Sequence, residues 1–338
     1  MDLSTNYMGL QLKHPIMVSS CPLSNSLEGI KQLEDSGASA IVMFSLFEEQ
    51  IKQENEAFDS FLQSGTDCFS ESLSFFPQID DTDKASDQYI NLLSKAVTAT
   101  DIPIIGSLNG VSNEGWVDYA KQIQQAGASA LELNVYYIPT NIEQSGEEIE
   151  QQYIDILKTV KSSVSIPVAV KLSPFFSSTG HFAKRMEQAG ADGIVLFNRF
   201  FQPDFNLDTL TVDPSAHLSS AEEIRLPLLW IAVLHGQLQS SLAASRGVQS
   251  ATEVIKYLLA GADTVMVASA LMKHGPQYLQ TILDGLNDWL NTRDYTSISE
   301  IRGKMSRLNA INPEGFERVN YIKTLEKAST LRWDNFVS

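Results

Sequence analysis

A phrase of small residues around a glycine occurs four times in this chain, each time directly before an apolar run. The four glycines are Gly37, Gly127, Gly190 and Gly261. Glycine adopts the left-handed conformation at a helix C terminus at little cost, and small neighbours allow the next strand to begin close by. The repeat therefore predicts a helix-to-strand turn used four times, which is typical of helices alternating with the strands of a parallel sheet.

Apolar runs alternate with segments of helical period along most of the sequence, which predicts eight strands. Most runs are apolar throughout, as expected of strands covered on both faces. The predicted strands are Ile16–Ser20, Ala40–Leu46, Ile102–Leu108, Ala130–Tyr136, Pro167–Ser173, Gly193–Arg199, Ser240–Ser245 and Thr264–Ser269. Helices are predicted between them, for example at Trp116–Ala126, Gly146–Val164 and Ala251–Ala260.

Eight strands with intervening helices predict the α/β fold class, as a single (β/α)8 TIM barrel spanning residues 1–305. Residues 306–338 are predicted to form a C-terminal appendage packed on the outside of the barrel. Long connections follow the second strand, at Glu48–Ala85, and the sixth strand, at Phe200–Arg225. Long loops at the C-terminal ends of barrel strands usually shape or cover a functional site.

The composition excludes several classes of protein. A formal net charge of -17 without clusters of lysine and arginine argues against a nucleic-acid partner. The two cysteines, Cys21 and Cys68, give neither a disulfide framework nor metal-ligand spacing, and the five histidines are scattered, so no metal site is predicted. No apolar run approaches the roughly 20 residues needed to span a bilayer, and no signal peptide is evident, so a soluble cytoplasmic protein is expected.

Polar residues end several of the predicted strands, and in a barrel these ends meet at one site. They are Ser45, Asn134, Lys171 and Asn198. Burying the ammonium of Lys171 is costly unless it meets an anion or an electron-rich group, although the side chain could instead extend to solvent. The two asparagine amides could donate to and accept from a planar polar ligand, or serve structure alone.

A second set of residues follows the seventh and eighth strands, where many barrels bind phosphate. Arg246 and Gly247 come directly after one strand, and Ala268 and Ser269 after the other. The segment Ser250–Glu253 has the pattern of a helix capping box. These features predict a phosphate site, with ordinary helix capping as the alternative. The chain contains no Gly-x-Gly sequence, so a dinucleotide fingerprint is absent.

Taken together, residues 3–305 resemble the dihydroorotate dehydrogenase family of flavin-dependent barrels. The motifs that carry the resemblance are Leu131–Asn134, Val170–Leu172, Phe197–Asn198 and the run from Gly247 to Pro276. The resemblance implies bound FMN, with its phosphate at the last two strands and its ring held by Lys171 and the asparagines. By the same comparison, further contacts to the flavin are implied for Ser19, Ser20, Cys21, Ser45 and Asn109.

The chain departs from the family where the substrate chemistry is expected. The cysteine or serine base of the family is missing from Asn134–Asn141; direct counting puts Tyr137 at its position, whereas strand alternation points Tyr136 inward. Ser45 replaces a lysine, Arg246 replaces a glycine, and the substrate loop reads Leu73–Gln78. The resemblance thus predicts a kept cofactor site and a rebuilt substrate site.

A tyrosine is a poor base at neutral pH and a better proton donor, which suits reduction of an activated double bond. The leading hypothesis is an FMN oxidoreductase that moves a hydride between flavin N5 and a small planar substrate. Dihydroorotate, as in pyrimidine biosynthesis, or another activated alkene would fit, with Asn134, Asn141 and Asn198 as substrate contacts.

Two alternatives stay open: a Schiff-base lyase that uses Lys171, and a non-catalytic flavin-binding protein. A homodimer and a separate electron-transfer partner are also left open by the sequence.

Overall fold

The computed structural model describes residues 1–49, 85–110, 116–200, 202–213 and 218–329. Cys68, the segment Leu73–Gln78 and most of the long connection after the second predicted strand lie outside the described residues. In the described part, the strands are β1 (Thr5–Tyr7), β2 (Leu10–Leu12), β3 (Ile16–Val18), β4 (Ile41–Val42), β5 (Leu46–Phe47), β6 (Ile104–Gly110), β7 (Ala130–Val135), β8 (Val168–Leu172), β9 (Gly193–Leu196), β10 (Asp204–Asn206), β11 (Thr211–Asp213), β12 (Ser241–Ser245) and β13 (Thr264–Val267).

The helices alternate with these strands as the sequence predicts. In the same part of the chain they are α1 (Leu27–Asp35), α2 (Ala85–Ala99), α3 (Trp116–Gln125), α4 (Gly146–Ser163), α5 (Thr179–Gln188), α6 (Arg225–Leu234), α7 (Ala251–Ala260), α8 (Ser269–His274), α9 (Tyr278–Asn291) and α10 (Arg318–Ser329).

Eight parallel strands close into a barrel in the order β3, β4, β6, β7, β8, β9, β12, β13 and back to β3. Strand β5 continues the path of β4 and pairs with the upper part of β6. The predicted (β/α)8 fold is confirmed. Several observed strands are shorter than predicted at their C-terminal ends, because the final polar residues leave the ladder and line the mouth of the barrel.

All four repeated glycines have positive φ angles, between +93° and +118°. At each turn the residue after the glycine donates its N–H to the carbonyl five positions earlier, as in Ala38 to Leu33 and Ala262 to Tyr257. This 6→1 bond is the Schellman closure of a helix. The repeated phrase therefore forms the predicted turn at all four places.

The N-terminal end of the barrel is closed by the β1–β2 hairpin. Tyr7, Met8 and Leu12 from this hairpin are buried against an inner cluster of strand side chains. The N–H of Met8 donates to the hydroxyl of Ser241, the first residue of β12, at 2.9 Å. A larger apolar layer fills the space between strands and helices. The open, polar end of the barrel is thus the C-terminal one.

Residues after the last barrel helix follow the outside of the barrel in the described part. The N–H of Arg307 donates to the carbonyl of Ala232 at 2.9 Å. Helix α10 exposes Tyr321, Ile322 and Leu325. The division into a barrel of residues 1–305 and a packed appendage of residues 306–338 stays a prediction. Among the residues that the structure describes, no helix is long and apolar enough to cross a membrane.

Candidate active site

Lys171 lies in the interior of the barrel mouth and does not extend to solvent. Its side chain is 7% exposed, and its Nζ lies 3.2 Å from the Ser19 hydroxyl and 3.4 Å from Glu132 Oε1. Strands β7 and β8 position this pair, because they are neighbours in the sheet. The cost of burying the ammonium is met in part by this carboxylate.

Glu132 was missed in the prediction from sequence. Its side chain is 1% exposed, and its second oxygen, Oε2, is buried without a hydrogen-bond partner among the described residues. A signal was present in the sequence, because Glu132 interrupts an apolar strand two residues before Asn134 and so shares its inward face. A buried carboxylate oxygen without a partner can accept a further hydrogen bond, which is a feature of functional sites more than of apolar cores.

The two predicted asparagines are brought together. Asn198 Nδ2 donates to Asn134 Oδ1 at 2.5 Å, and both residues are buried. Asn134 is in register with Lys171 on one side and with Asn109 on the other. The amide pair keeps further donors and acceptors that can point towards a planar polar ligand.

Ser45 belongs to a chain of hydroxyl groups on the other side of the mouth. Its Oγ lies 2.9 Å from Ser107 Oγ and 3.2 Å from Ser20 Oγ. The N–H of Ser107 donates to the buried hydroxyl of Tyr89 at 2.8 Å, which fixes this strand. The residue that replaces the family's lysine is thus neutral and hydrogen-bonded to its neighbours.

Most of the predicted cofactor residues line one polar cavity at the C-terminal ends of β3, β8, β9, β12 and β13. Its predicted lining residues are Ser19, Ser20, Lys171, Asn198, Arg246, Gly247, Ala268 and Ser269. Arg199 and Ser219 also line it and were not predicted as site residues. The residues predicted to hold a flavin ring and those predicted to hold its phosphate therefore line the same cavity.

Gly247 and its neighbours form the end of the cavity where the sequence predicts a phosphate. Gly247 has φ +74°, and a Cβ there would lie 2.7 Å from the side chain of Ile224 and 3.1 Å from the Ser220 carbonyl oxygen. Ser219 Oγ lies 2.8 Å from Ser269 Oγ and accepts the Gly247 N–H at 3.3 Å. Small hydroxyl groups beside a glycine turn fit a phosphate group, which needs several donors at close approach. The capping box Ser250–Glu253 is also confirmed.

Arg246 is tied to a carboxylate at the edge of this end. Its Nε donates to Glu223 Oε2 at 2.8 Å, and Arg199 Nε lies 3.5 Å from the same oxygen. Partial burial by itself raises the pKa of Glu223, but the Ser220 backbone and the two arginines outweigh it and hold that pKa below its usual value. Two guanidinium groups around one carboxylate leave a net positive charge at the cavity rim.

The remaining predicted residues are placed less directly. Burial raises the pKa of the Cys21 thiol, so this side chain is a small neutral group and not a thiolate. Asn141 lies in an exposed loop, where its side chain accepts the Glu143 N–H at 3.1 Å, and it does not line the polar cavity. No group of three or more metal-ligating side chains occurs in the described part of the chain.

The two candidate tyrosines differ in their surroundings. The ring of Tyr136 stacks on Phe200 with 4.5 Å between ring centroids. Phe200 follows Asn198 by two residues, as Tyr136 follows Asn134. The Tyr137 hydroxyl instead donates to Gln144 Oε1 at 2.8 Å.

The buried lysine, the amide pair and the glycine turn lie at the C-terminal mouth of a closed (β/α)8 barrel, which is where barrel enzymes carry their active sites. The chain belongs to the dihydroorotate dehydrogenase family, whose model matches residues 78–290. The predicted resemblance is thereby confirmed. The expected oxidoreductase class, acting on CH–CH groups, agrees with this membership.

Three relatives illustrate the range of similarity. The chain is 29% identical to the catalytic subunit of dihydroorotate dehydrogenase B (NAD(+)) from Shouchella clausii. The similarity extends over 210 residues, which are 60% of this chain and 68% of that protein. It is 24% identical to the corresponding subunit from Thermoplasma acidophilum, over 89% of this chain and 98% of that protein. It is 22% identical to the NAD-dependent dihydropyrimidine dehydrogenase subunit PreA from Escherichia coli, over 94% of this chain and 80% of that protein.

Proposed function

We propose that this protein is an FMN-dependent oxidoreductase that interconverts a CH–CH group and a C=C bond in a small planar substrate. The observation that carries the proposal is the buried Lys171, held at 3.2 Å from Ser19 and 3.4 Å from Glu132 in a cavity it shares with Asn198 and Gly247. A fixed cation inside a barrel mouth suits an electron-rich ring, and family membership supports flavin as that ring.

The chemistry of the side chains that line the cavity fits the ring and the phosphate of FMN. Lys171 would lie beside the electron-rich edge of the flavin, where a cation stabilises negative charge. Asn134 and Asn198 would orient polar groups of the ring or of the substrate. Ser219, Gly247 and Ser269 would hold the phosphate. Bound FMN would supply the hydride acceptor or donor at N5.

We propose Tyr136 as the proton donor for reduction of the double bond. When the C=C bond is reduced, one carbon gains the hydride and the other gains a proton, which the Tyr136 hydroxyl can supply. Strand alternation gives Tyr136 the same inward direction as Asn134, whereas the next residue, Tyr137, has the opposite direction and donates its hydroxyl to Gln144. The oxidation of a CH–CH group would run these transfers in reverse.

The Schiff-base alternative receives less support from the site. A lyase lysine must be free to attack a carbonyl carbon, whereas the Lys171 amine is held in an ion pair with the buried Glu132 carboxylate at 3.4 Å. The non-catalytic alternative was raised because the family's cysteine or serine base is missing. A tyrosine that donates the proton could take over this role, so the missing base does not require an inactive protein.

An electron-transfer partner is part of the proposal. All three reported relatives are subunits by name: two are catalytic subunits of dihydroorotate dehydrogenase B, and the third is the subunit PreA. We infer that a separate protein exchanges electrons with the bound FMN of this chain. The homodimer and the cytoplasmic location stay predictions.

Visible absorption of the purified protein, before and after FMN addition and gel filtration, tests the proposed function. We expect a retained flavin spectrum, and a colourless protein that takes up no FMN would overturn the proposal. Anaerobic mixing with dihydroorotate then tests the substrate: bleaching identifies it as a reductant, and an unbleached flavin excludes it. Borohydride trapping in the presence of carbonyl compounds tests the lyase.

A further inference from the structure

An apolar cavity of about 360 Å³ lies beside the polar one, at the C-terminal ends of β7, β8 and β9. Its lining is mainly aromatic and includes Tyr137, Ile138, Tyr153, Phe175, Phe176 and Phe200. Ser173 and Gln202 are polar members of its lining. Volume and lining both match small-molecule sites, which are concave and apolar with a few polar groups.

The walls of this aromatic cavity continue the segments that carry the polar site. Ser173 follows Lys171 by two residues, Phe200 follows Asn198 by two, and Tyr137 follows Asn134 by three. The two cavities meet along the chain after β9, where Arg199 lines the polar one and the next residue, Phe200, lines the aromatic one.

The aromatic rings hold one another in place. Phe200 stacks on Tyr136 and meets Phe175 edge to face, with 5.5 Å between centroids in the second pair. The Tyr153 hydroxyl donates to the Val135 carbonyl at 2.9 Å, which ties the deep side of the cavity to β7. Rings fixed in this way need little reorganisation to accept a flat apolar group.

Phe175 is 68% exposed, although it lines the aromatic cavity. An exposed aromatic ring at the rim of a concave apolar surface is typical of a site that a ligand covers. Orotate does not provide such a cover, because its ring carries N–H, carbonyl or carboxylate groups on most of its edges. The cavity thus favours a different shape of substrate.

We propose that the aromatic cavity binds a ring-sized apolar substituent of the substrate, while the polar mouth holds its reacting part. This inference rests on the proposed function and names its substrate class: unsaturated compounds, or their saturated forms, that bear an aryl group or a similar flat apolar group next to the reacting bond.

A matched pair of ligands tests the inference on the FMN-loaded protein. Cinnamate and crotonate share the carboxylate and the C=C bond and differ in a phenyl against a methyl group. We expect cinnamate to bind at least about tenfold more tightly, measured by perturbation of the flavin spectrum. Equal affinities would overturn the inference.

Variants locate the effect. Phe200→Ala should remove most of the preference for cinnamate, and Phe175→Ala, which removes a largely exposed ring, should weaken it by several-fold. Tyr321→Ala, which removes an exposed ring on α10, should leave the preference unchanged. An unaltered preference in both phenylalanine variants would place the phenyl group elsewhere and contradict the inference.

Calorimetric titration of the FMN-free protein with the same ligands separates this inference from the proposed function. If the protein takes up no FMN but still prefers cinnamate in a Phe200-dependent way, the proposed function fails and the aromatic cavity stands. If FMN binds and the preference is absent, the cavity assignment fails and the proposed function stands.

Discussion

Lys171 Nζ and Glu132 Oε1 lie 3.4 Å apart inside the barrel, on adjacent strands and nearly shielded from water. Removing one member of such a pair leaves the other charge buried and uncompensated, whereas removing both is often close to neutral. The pair therefore makes a prediction about stability that does not depend on any ligand.

Lys171→Met should destabilise the FMN-free protein by about 3 kcal/mol, because Glu132 then loses its charge partner. The double variant Glu132→Gln with Lys171→Met should recover most of that loss. Urea unfolding of the single and double variants measures both effects. A double variant that is less stable than Lys171→Met would show that the two side chains do not compensate each other.

Gly247→Ala should lower FMN affinity at least about tenfold, because a Cβ at φ +74° meets Ile224 and the Ser220 backbone and displaces the turn. Fluorescence titration with FMN measures the change. Gly146→Ala is the matched control, since a Cβ there meets nothing within 4 Å. Equal FMN affinities of the two variants would contradict a phosphate site at Gly247.

Tyr136→Phe should slow reduction of the substrate by about 10²-fold or more, because it removes the proposed proton donor. Tyr137→Phe should change the rate by less than about threefold, since that hydroxyl already donates to Gln144. Single-turnover reoxidation of reduced flavin by the substrate is the measurement. The opposite ranking of the two variants would assign the proton to Tyr137.

His14 should make stability depend on pH. Burial lowers its pKa to about 4, and its Nδ1 accepts the Ile16 N–H at 3.2 Å, so the folded protein holds the neutral ring. The unfolded chain binds a proton at higher pH than the folded one, so this contribution to stability is present above the ordinary histidine pKa and is lost as the pH falls towards 4. We expect a loss of about 2 kcal/mol between about pH 7.5 and about pH 5.

Urea unfolding of the wild type and of His14→Gln across this pH range isolates the contribution, because the other titrating groups are common to both proteins. The variant should show the shallower pH dependence by that amount. Parallel curves would mean that His14 titrates alike in the folded and unfolded states.

The barrel and its turns could be predicted because each depends on local sequence. Each turn requires a positive φ, which favours glycine, and the apolar run that follows each glycine is typical of a strand covered on both faces. Gly37 and Gly261 therefore mark the same kind of helix-to-strand turn in distant parts of the chain. Lys171, Asn134 and Asn198 were also within reach, since strand ends of a barrel meet at one edge.

Features that depend on pairing across strands were not predicted. Glu132 looks like an irregular strand residue until the neighbouring strand β8 brings the Lys171 ammonium within 3.4 Å of it, and Glu223 meets Arg199 and Arg246 only in the folded barrel. The aromatic cavity likewise joins three loops that are far apart in sequence. Such contacts are set by three-dimensional neighbours and not by spacing along the chain.

The hairpin that carries Tyr7 and Met8 closes the N-terminal end of the barrel and leaves the C-terminal end as its entrance. Substitutions in this hairpin should change the melting temperature, and substitutions at the C-terminal mouth should change which ligands bind. Thermal stability and ligand specificity thus depend on opposite ends of the same strands, so that one can be altered without the other.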